Sequence, residues 1–290
     1  MDYRPGAFLQ PHNASPSAYL IILNAPIQNA TVLQRLWTNS NFRICADGGA
    51  NRLHDVSSSG RPAARRPRDD SASTLPAAAP PRALRSPLLP DRIHGDLDSL
   101  RADVRAFYAA RAVPITQDQD KDSTDFGKVV GEVRLLAQSE ARSYQDVLVL
   151  GSLAGRVDQG IGLLHEVLRE GRRGGGGSGT WLRLWVFSEA SCSFVLRKGR
   201  TRIGTAEEGV GNGADGEKVV RKGLFTPNVG ILPIYGPATI TTHGLEWDVR
   251  DWKTEMGGQV STSNHVVDLA KGVEVETDHE VLFTIELADF

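Results

Sequence analysis

Hydrophobic and polar positions follow one pattern in the first half of the chain and another in the second. From Ala18 to about residue 171, short runs of aliphatic residues alternate with stretches whose apolar residues recur every three or four positions. This alternation predicts strands separated by helices, packed as an α/β domain around a mostly parallel sheet. The predicted strands span residues 19–23, 42–46, 92–95 and 146–150.

The helical periodicity is strongest just after residue 124. The apolar residues there recur on one face of a helix, at Phe126, Val129, Val130, Val133 and Leu136. Ser123 and Thr124 precede them, and both residue types are favoured at the N-terminal cap of a helix. Further helices are predicted over residues 31–37, 100–111 and 159–169.

Beyond residue 180 the helical periodicity nearly vanishes. Short apolar runs, separated by Gly, Pro, Asn and Asp, follow at 181–187, 193–197, 230–234, 238–242, 260–263 and 281–287. Closely spaced strands with such turns are typical of an antiparallel sandwich or barrel. Residues 172–180, which contain the run RRGGGGSG, predict a flexible connector between the two halves.

Three polar segments are not expected to join a core. They are a flexible N-terminus over 1–17, a disordered insertion rich in Ser, Pro, Ala and Arg over 55–89, and a Gly-rich insertion over 204–222. The sequence therefore predicts a Rossmann-like α/β domain over 18–171 and an all-β, jelly-roll-like sandwich domain over 181–290.

The composition limits the classes of partner. A net charge of −2 and a pI near 6.4 provide no bulk attraction to nucleic acid or to an anionic membrane surface. The apolar run at 18–23 is too short to cross a membrane and has no basic region before it. Two cysteines, Cys45 and Cys192, are too few for a disulfide framework, so a reducing, cytoplasmic location is expected.

Four short polar motifs fall where strands of the first domain are expected to end. They are ADGGAN at 46–51, GDLDS at 95–99, DSTD at 122–125 and GSLAGRVDQ at 151–159. In open α/β sheets, ligands bind at the carboxyl ends of the strands. The paired glycines of ADGGAN let the backbone approach a ligand, but the motif has neither the G-x-G-x-x-G spacing of a dinucleotide site nor the Lys of a P-loop.

Paired carboxylates indicate a metal site. Asp96 and Asp98 would face the same side of an extended segment, and Asp122 and Asp125 lie three residues apart at a helix start. Mg²⁺ takes oxygen ligands, commonly one or two carboxylates together with substrate phosphates. A solvated turn, or the usual enrichment of Asp at helix N-termini, would also account for these residues.

The last motif adds a cation. Arg156 is suited to phosphate oxygens, and Asp158 could orient Arg156 or join the metal shell. A surface ion pair between the two residues is the simpler alternative. Acidic residues, glycine turns and an arginine together indicate phosphoryl-type transfer, in which catalysis consists mostly of positioning and charge neutralisation.

The four motifs, in this order, resemble those of the thiamine pyrophosphokinase family. The similarity continues in GLEW at 244–247, GQVSTSN at 258–264 and VEVETDH at 273–279, and in all it covers roughly residues 18–54, 90–171 and 181–288. The resemblance implies transfer of a pyrophosphoryl group from ATP to the hydroxyl of thiamine, with Mg²⁺ as cofactor. It also implies a homodimer with active sites at the subunit interface.

The resemblance further implies roles for particular residues. The implied metal ligands are Asp96, Asp98 and Asp125. These three form the implied catalytic set together with Arg156 and Asp158, and Asp98 or Asp125 would accept the hydroxyl proton. The implied ATP-binding residues are Asp47, Gly48, Gly49, Asn51, Asp96, Ser99, Asp122, Thr124, Arg156 and Gln159. The implied thiamine-binding residues are Trp247, Ser261, Ser263 and Asn264.

Other interpretations stay open at this point. Trp247 would suit a cationic aromatic ligand, yet a large aromatic residue in a sandwich can equally belong to the core. A nucleotide-sugar transferase would use Asp96 and Asp98 for its metal, but it leaves the β domain without a purpose. A sensor that binds thiamine or its diphosphate without catalysis would not need every acidic residue.

Overall fold

The structure is a computed structural model that describes residues 1–11, 16–58, 87–140, 143–153, 156–173, 180–205 and 223–289. The strands of the first half are β1 (Asp2–Tyr3), β2 (Ala18–Ile22), β3 (Ser40–Ala46), β4 (Arg92–Gly95), β5 (Ile115–Gln117) and β6 (Tyr144–Leu150). The strands of the second half are β7 (Trp181–Phe187), β8 (Ser191–Leu196), β9 (Gly199–Ile203), β10 (Phe225–Leu232), β11 (Ala238–His243), β12 (Trp252–Thr254), β13 (Ser261–His265), β14 (Val273–Thr277) and β15 (Val281–Leu287). The helices are α1 (Ala30–Thr38), α2 (Gly49–Ser58), α3 (Ala102–Ala109), α4 (Asp125–Ser139) and α5 (Val157–Arg173), with a short 3-10 helix over Pro5–Leu9.

The first half of the chain forms the expected parallel sheet. β6, β2, β3, β4 and β5 lie side by side in that order, and each neighbouring pair is parallel. Every residue of β2 is buried, as is typical of a strand covered on both faces by helices. β5 was not predicted from the sequence, because it has only three residues and two of them are exposed and polar.

Alternate residues of the buried strands belong to two separate cores. Leu20 and Ile22 of β2 share a core with residues of α1, α2 and α3, whereas Tyr19 and Ile21 share a core with residues of α4 and α5. The helices therefore cover both faces of the sheet, as in doubly wound α/β folds. This arrangement leaves the carboxyl ends of the strands free at one edge.

The sheet continues into the second half without a break. β7 pairs in parallel with β6 along its whole length, from Tyr144 opposite Trp181 to Leu150 opposite Phe187. β8, β15, β10 and β13 follow, each antiparallel to its neighbour, so the sheet has ten strands within the described residues. The boundary predicted at residue 181 therefore does not separate two sheets. The apolar run of β7 suits a buried strand in either domain, so its sequence does not indicate which partner it has.

A second sheet, with the strand order β1-β9-β14-β11-β12, covers the antiparallel part of the first. Ile231 and Phe283 of the large sheet share a core with Ile240 and Val275 of the small one. The C-terminal half is thus the two-layered sandwich that the sequence predicts. In the expected connector, α5 extends to Arg173, and residues 174–179 lie outside the described residues.

The N-terminal segment, expected to be flexible over 1–17, is packed into the sandwich in the part that the structure describes. β1 pairs in parallel with β9, and the terminal amine donates a hydrogen bond to the carbonyl oxygen of Arg200 at 2.8 Å. Tyr3 is fully buried, with its ring 5.4 Å from that of Phe194. A strand of two residues is too short to show the alternation that predicts strands, so its sequence does not indicate it.

The two predicted insertions fall mostly outside the described residues. In the first, α2 extends to Ser58, and residues 59–86 lie outside. In the second, Thr205 is buried and donates a hydrogen bond to the carbonyl oxygen of Leu269 at 2.6 Å, and residues 206–222 lie outside. In the part of the chain that is described, no helix is both long enough and apolar enough to span a membrane.

Candidate active site

Three carboxylates meet at the carboxyl edge of the parallel sheet. Asp47 follows β3, Asp96 follows β4, and Asp125 is the first residue of α4. One oxygen atom from each carboxylate lies within 4.8 Å of the others. Because parallel strands end at the same edge, the fold brings together residues that are far apart in sequence. We call these three residues the acid cluster.

Asp47 is the buried member of the acid cluster, with 1% of its surface exposed. Its Oδ2 accepts a hydrogen bond from the backbone amide of Ser99 at 3.0 Å, whereas its Oδ1 is buried and has no hydrogen-bond partner among the described residues. Burial raises the pKa of Asp47 to about 6, and the negative charges of Asp125 and Asp96 add to the rise. A cation close to Oδ1 would stabilise the ionised form of this carboxylate.

Three glycines allow close packing at this edge of the sheet. A Cβ on Gly49 would lie 2.1 Å from the carbonyl oxygen of Ile22, and a Cβ on Gly95 would lie 2.9 Å from the Cβ of Asp47. Gly48, in the same turn, would bring a Cβ within 2.3 Å of the side-chain nitrogen of Asn24. The glycines of ADGGAN are therefore needed to bring the start of α2 against the end of β2.

Asn51 and Ser99 hold the GDLDS loop against α2. The side-chain nitrogen of Asn51 donates to the carbonyl oxygen of Ser99 at 2.7 Å, and its Oδ1 accepts from the amide of Arg101 at 3.1 Å. Asn51 is 8% exposed, so these bonds are shielded from water. Both residues were predicted to bind ATP, and in the structure they fix the loop that carries Asp96.

Asp98 lies outside the acid cluster. Its amide donates to Oδ1 of Asp96 at 3.2 Å, and its exposed carboxylate accepts from Oγ of Ser99 at 3.0 Å. The alternation expected of an extended segment does not apply here, because Leu97 has a φ of 65° and turns the chain. The structure therefore groups Asp47, and not Asp98, with Asp96 and Asp125, and metal binding by Asp98 stays a prediction.

A buried lysine, absent from the predicted site, lies among these acids. Nζ of Lys128 is 3.4 Å from Oδ2 of Asp96 and 3.7 Å from Oδ1 of Asp125, and its side chain is 2% exposed. Burial raises the pKa of Asp96, but the amide of Asp98 and the charge of Lys128 together hold it below its usual range. Burial and the charge of Asp96 raise the pKa of Asp125. The sequence signal for this residue is a lysine three positions after Asp125 on a largely apolar helix.

Thr124 caps α4, as the sequence predicts. Its Oγ1 accepts a hydrogen bond from the amide of Gly127 at 3.0 Å. Asp122 is instead exposed in the preceding turn, where its amide donates to Oδ1 of Asp120 at 2.9 Å. Asp122 is therefore outside the acid cluster, and its predicted contact with ATP remains a prediction.

The acid cluster suits a magnesium ion. It offers three carboxylate oxygens in a small space, and Oδ1 of Asp47 is buried without a hydrogen-bond partner in the described part of the chain. Hard divalent cations prefer oxygen ligands of this type. The single charge of Lys128 does not balance three ionised carboxylates, so the cluster keeps a negative charge that a divalent cation would neutralise.

The described part of the GSLAGRVDQ motif, residues 151–153 and 156–159, lies further along the same edge. The motif follows β6. Two strands, β2 and β3, lie between β6 and β4 in the sheet, so the ends of β6 and β4 are about 14 Å apart. Nε of Arg156 donates to Oδ1 of Asp158 at 3.1 Å, and both side chains are largely exposed, as is Gln159. Arg156 and Asp158 therefore pair with each other, and neither belongs to the acid cluster.

A cleft of about 330 Å³ opens between the two sheets of the sandwich. All four residues predicted to bind thiamine line it, namely Trp247, Ser261, Ser263 and Asn264. Asn264 fixes the position of Trp247, since its Oδ1 accepts from the Trp247 amide at 3.1 Å and its nitrogen donates to the Trp247 carbonyl oxygen at 2.9 Å. Trp247 is 56% exposed, so the alternative that it fills the core is wrong.

Comparison with known proteins assigns the chain to a family. A family model for the thiamin pyrophosphokinase catalytic domain matches residues 33–174, and a model for the vitamin B1 binding domain of the same enzymes matches residues 217–282. Thiamine pyrophosphokinase 1 of Arabidopsis thaliana is 30% identical over 270 residues, which cover 92% of this chain and 85% of that protein. The chain belongs to the thiamine pyrophosphokinase family. The family member from Saccharomyces cerevisiae is 26% identical over 317 residues, covering 95% of this chain and 87% of that protein.

Solved structures of thiamin pyrophosphokinases share the fold. The yeast structure has a TM-score of 0.74 and 23% identity, over 99% of this chain and 91% of that one. The structure from Candida albicans has a TM-score of 0.72 and 23% identity, over 99% and 93% of the two chains. The predicted combination of an α/β half with a β sandwich is thus confirmed. The acid cluster lies within the matched catalytic domain, and the Trp247 cleft lies within the matched vitamin B1 binding domain.

Proposed function

We propose that the protein transfers the pyrophosphoryl group of ATP to the hydroxyl of thiamine, with thiamine diphosphate and AMP as products. The observation that supports this proposal is the acid cluster at the edge of the sheet where ligands bind. The same chain has the Trp247 cleft, which lies in the region matched by the vitamin B1 binding domain. The hydroxyl oxygen would bond to the β-phosphorus while the bond from that phosphorus to the α,β-bridging oxygen breaks. AMP would leave with the electron pair.

The acid cluster is the proposed magnesium site. Asp47, Asp96 and Asp125 would hold the ion, with Asp98 as the further ligand implied by the family resemblance. Bound Mg²⁺ would neutralise negative charge on the phosphate oxygens. The unpartnered Oδ1 of Asp47 supports this assignment, because ionising a buried carboxylate without a partner is costly.

Residues of the chain would carry the remaining steps. Lys128 holds Asp96 and Asp125 close together in spite of their repulsion. Asp98 and Asp125 are the two candidates for accepting the hydroxyl proton, and the exposed carboxylate of Asp98 is the more accessible to a substrate. Arg156 would bind the phosphate chain, which would have to span part of the distance between β4 and β6. The other residues proposed to contact ATP are Gly48, Gly49, Asn51, Ser99, Asp122, Thr124 and Gln159.

The Trp247 cleft is the proposed thiamine site. Trp247 presents an exposed aromatic face, which attracts a cationic ring by about 1 kcal/mol or more. Ser261, Ser263 and Asn264 add polar groups to the lining of the same cleft. We also propose a homodimer in which the acid cluster of one subunit and the cleft of the other form one site. Light scattering should then give twice the chain mass of 31.4 kDa.

A cytoplasmic location is part of the proposal. Cys45 and Cys192 are free and buried, which suits a reducing compartment. Fractionation of cells that produce the tagged protein should recover it with cytoplasmic markers.

The decisive experiment measures the nucleotide product. With ATP, Mg²⁺ and thiamine, we expect AMP and thiamine diphosphate in equal amounts, and neither product without thiamine. A sensor would form no product, and a transferase of another type would not require thiamine, so either result would refute the proposal. Asp96→Asn should lower turnover by at least about a hundredfold with little change in stability.

A further inference from the structure

Glu166 is a buried carboxylate that lies outside the acid cluster. It is part of α5 and is 2% exposed, on the same helix as Leu163 and Val167, which pack into the core shared with α4. A carboxylate in such surroundings costs free energy unless it is paired and hydrogen-bonded. Its partners therefore indicate its role.

Glu166 binds the cap of α4. Its Oε1 accepts a hydrogen bond from Oγ1 of Thr124 at 3.0 Å, and Oγ1 of Thr124 accepts from the amide of Gly127 at 3.0 Å. A hydroxyl has one hydrogen to donate, so donating it to Glu166 leaves the oxygen lone pairs for the Gly127 amide. Glu166 thus sets the orientation in which Thr124 caps the helix.

The start of α4 is shaped for this contact. A Cβ on Gly127 would lie 3.2 Å from Oε1 of Glu166 and 2.8 Å from Nη2 of Arg169. Arg169 in turn pairs with Oε2 of Glu166 at 2.6 Å. Glycine lowers the stability of a helix, so its presence in this turn is explained by the close approach of the two side chains.

We infer that Glu166 is a positioning residue for the acid cluster. Asp125 follows Thr124 directly, and its Oδ1 accepts from the amide of Asp96 at 3.4 Å. By holding Thr124, Glu166 keeps the first turn of α4 in the place where the Asp125 carboxylate joins Asp47 and Asp96. The consequence for catalysis rests on the proposed function, whereas the positioning itself does not.

Glu170 offers a matched control on the same helix. It lies one turn beyond Glu166, its side chain is fully buried, and it pairs with Arg134 and with Arg173. Arg134 is more than two turns beyond Asp125 in α4, away from the cap. Removal of the Glu170 carboxylate therefore breaks a comparable buried ion pair without touching the start of α4.

The test uses full-length Glu166→Met, Glu166→Gln and Glu170→Met variants without ATP or thiamine. Hydrogen–deuterium exchange of the Gly127 amide reports on the cap, and electron paramagnetic resonance of free Mn²⁺ reports on metal binding. We expect Glu166→Met to speed exchange and to weaken Mn²⁺ binding, each by about fivefold. Glu166→Gln keeps an oxygen that accepts from Thr124, so it should stay near the wild type, as should Glu170→Met.

The positioning role is refuted if Glu166→Met and Glu170→Met have the same effect on Gly127 exchange and on Mn²⁺ binding. It is also refuted if Glu166→Met leaves either of these two measurements unchanged. Should Glu166→Met fail to fold, Thr124→Val removes the intervening hydroxyl and should produce the same two changes. Unchanged exchange and Mn²⁺ binding in Thr124→Val would equally refute it. Neither measurement depends on turnover, so a failure of the proposed reaction is recognised separately by the AMP assay.

Discussion

The ammonium group of Lys128 lies 3.4 Å from Oδ2 of Asp96, with 2% of the lysine side chain exposed. Asp96 and Asp125 are both within 4 Å of this cation, and Asp47 completes the acid cluster beside them. The cluster therefore contains one built-in positive charge in addition to any ion that it binds.

Lys128→Met should make folding depend more strongly on metal. Without Lys128, Asp96 and Asp125 repel each other with no cation between them, and we expect the free energy of unfolding in metal-free buffer to fall by about 1–2 kcal/mol. Millimolar Mg²⁺ should restore more stability to this variant than to the wild type. Urea unfolding with and without Mg²⁺ measures both effects. The exposed Lys121→Met serves as the control, and an unchanged midpoint for Lys128→Met would contradict the prediction.

Asp47 should make stability depend on pH in metal-free buffer. Its pKa of about 6 lies above the ordinary value of 3.8, so the native state holds this proton more tightly than the unfolded chain does. The free energy of unfolding should therefore decrease as the pH rises from about 4 to about 6, with the full loss present above pH 6.

Asp47→Asn should remove this loss. At pH 7 without metal, the variant should unfold with a free energy about 1–2 kcal/mol higher than the wild type, and the difference should disappear near pH 4. Chemical denaturation across this pH range is the measurement, with the exposed Asp122→Asn as control. A difference of the opposite sign at pH 7 would show that Asp47 is stabilised by its ionisation.

Trp247→Ala should act on thiamine and leave ATP unaffected. Loss of the aromatic face should raise the KM for thiamine about tenfold, with less than a twofold change in the KM for ATP. Because Trp247 is 56% exposed, the free energy of unfolding should fall by less than about 1 kcal/mol. Steady-state kinetics with each substrate varied in turn tests this, and Trp247→Phe should recover part of the affinity. An unchanged KM for thiamine would exclude Trp247 from the site.

Gly49→Ala should disrupt the site through the backbone. A Cβ at this position would lie 2.1 Å from the carbonyl oxygen of Ile22, so the start of α2 would have to move, at a cost of about 2 kcal/mol or more. Gly162→Ala, in α5, meets no atom within 4 Å and should raise stability by about 0.5–1 kcal/mol. Thermal unfolding of the two variants measures the contrast. Equal stabilities would mean that α2 adapts without strain.

Much of the fold follows from local patterns in the sequence. The run at 92–95 and the run at 181–187 coincide with β4 and β7, and the cap at Thr124 begins α4 as its residue type and position predict. The short strands β1, β5 and β12 were not predicted, because two or three residues cannot show a period. The sequence also divides the chain at residue 181, where the structure has one continuous sheet.

The candidate site was predicted in part. Asp96 and Asp125 come together, and the four thiamine-binding candidates line one cleft, because their motifs mark strand ends and turns. Asp98 was predicted to bind the metal beside Asp96, but the positive φ of Leu97 turns the chain, and the group of three carboxylates contains Asp47 in place of Asp98. Lys128 was missed, because a single lysine on a helix usually lies on the solvent side.

The sequence by itself determined the order of strands and helices, the family motifs and the residue types available for chemistry, since each of these depends on residues close together in the chain. Only the tertiary structure decided which carboxylates share a site. Asp47 joins Asp96 and Asp125 because β3 and β4 are parallel neighbours that end at one edge, and Lys128 enters because α4 begins at that edge. Such proximity depends on strand order, which no local pattern contains.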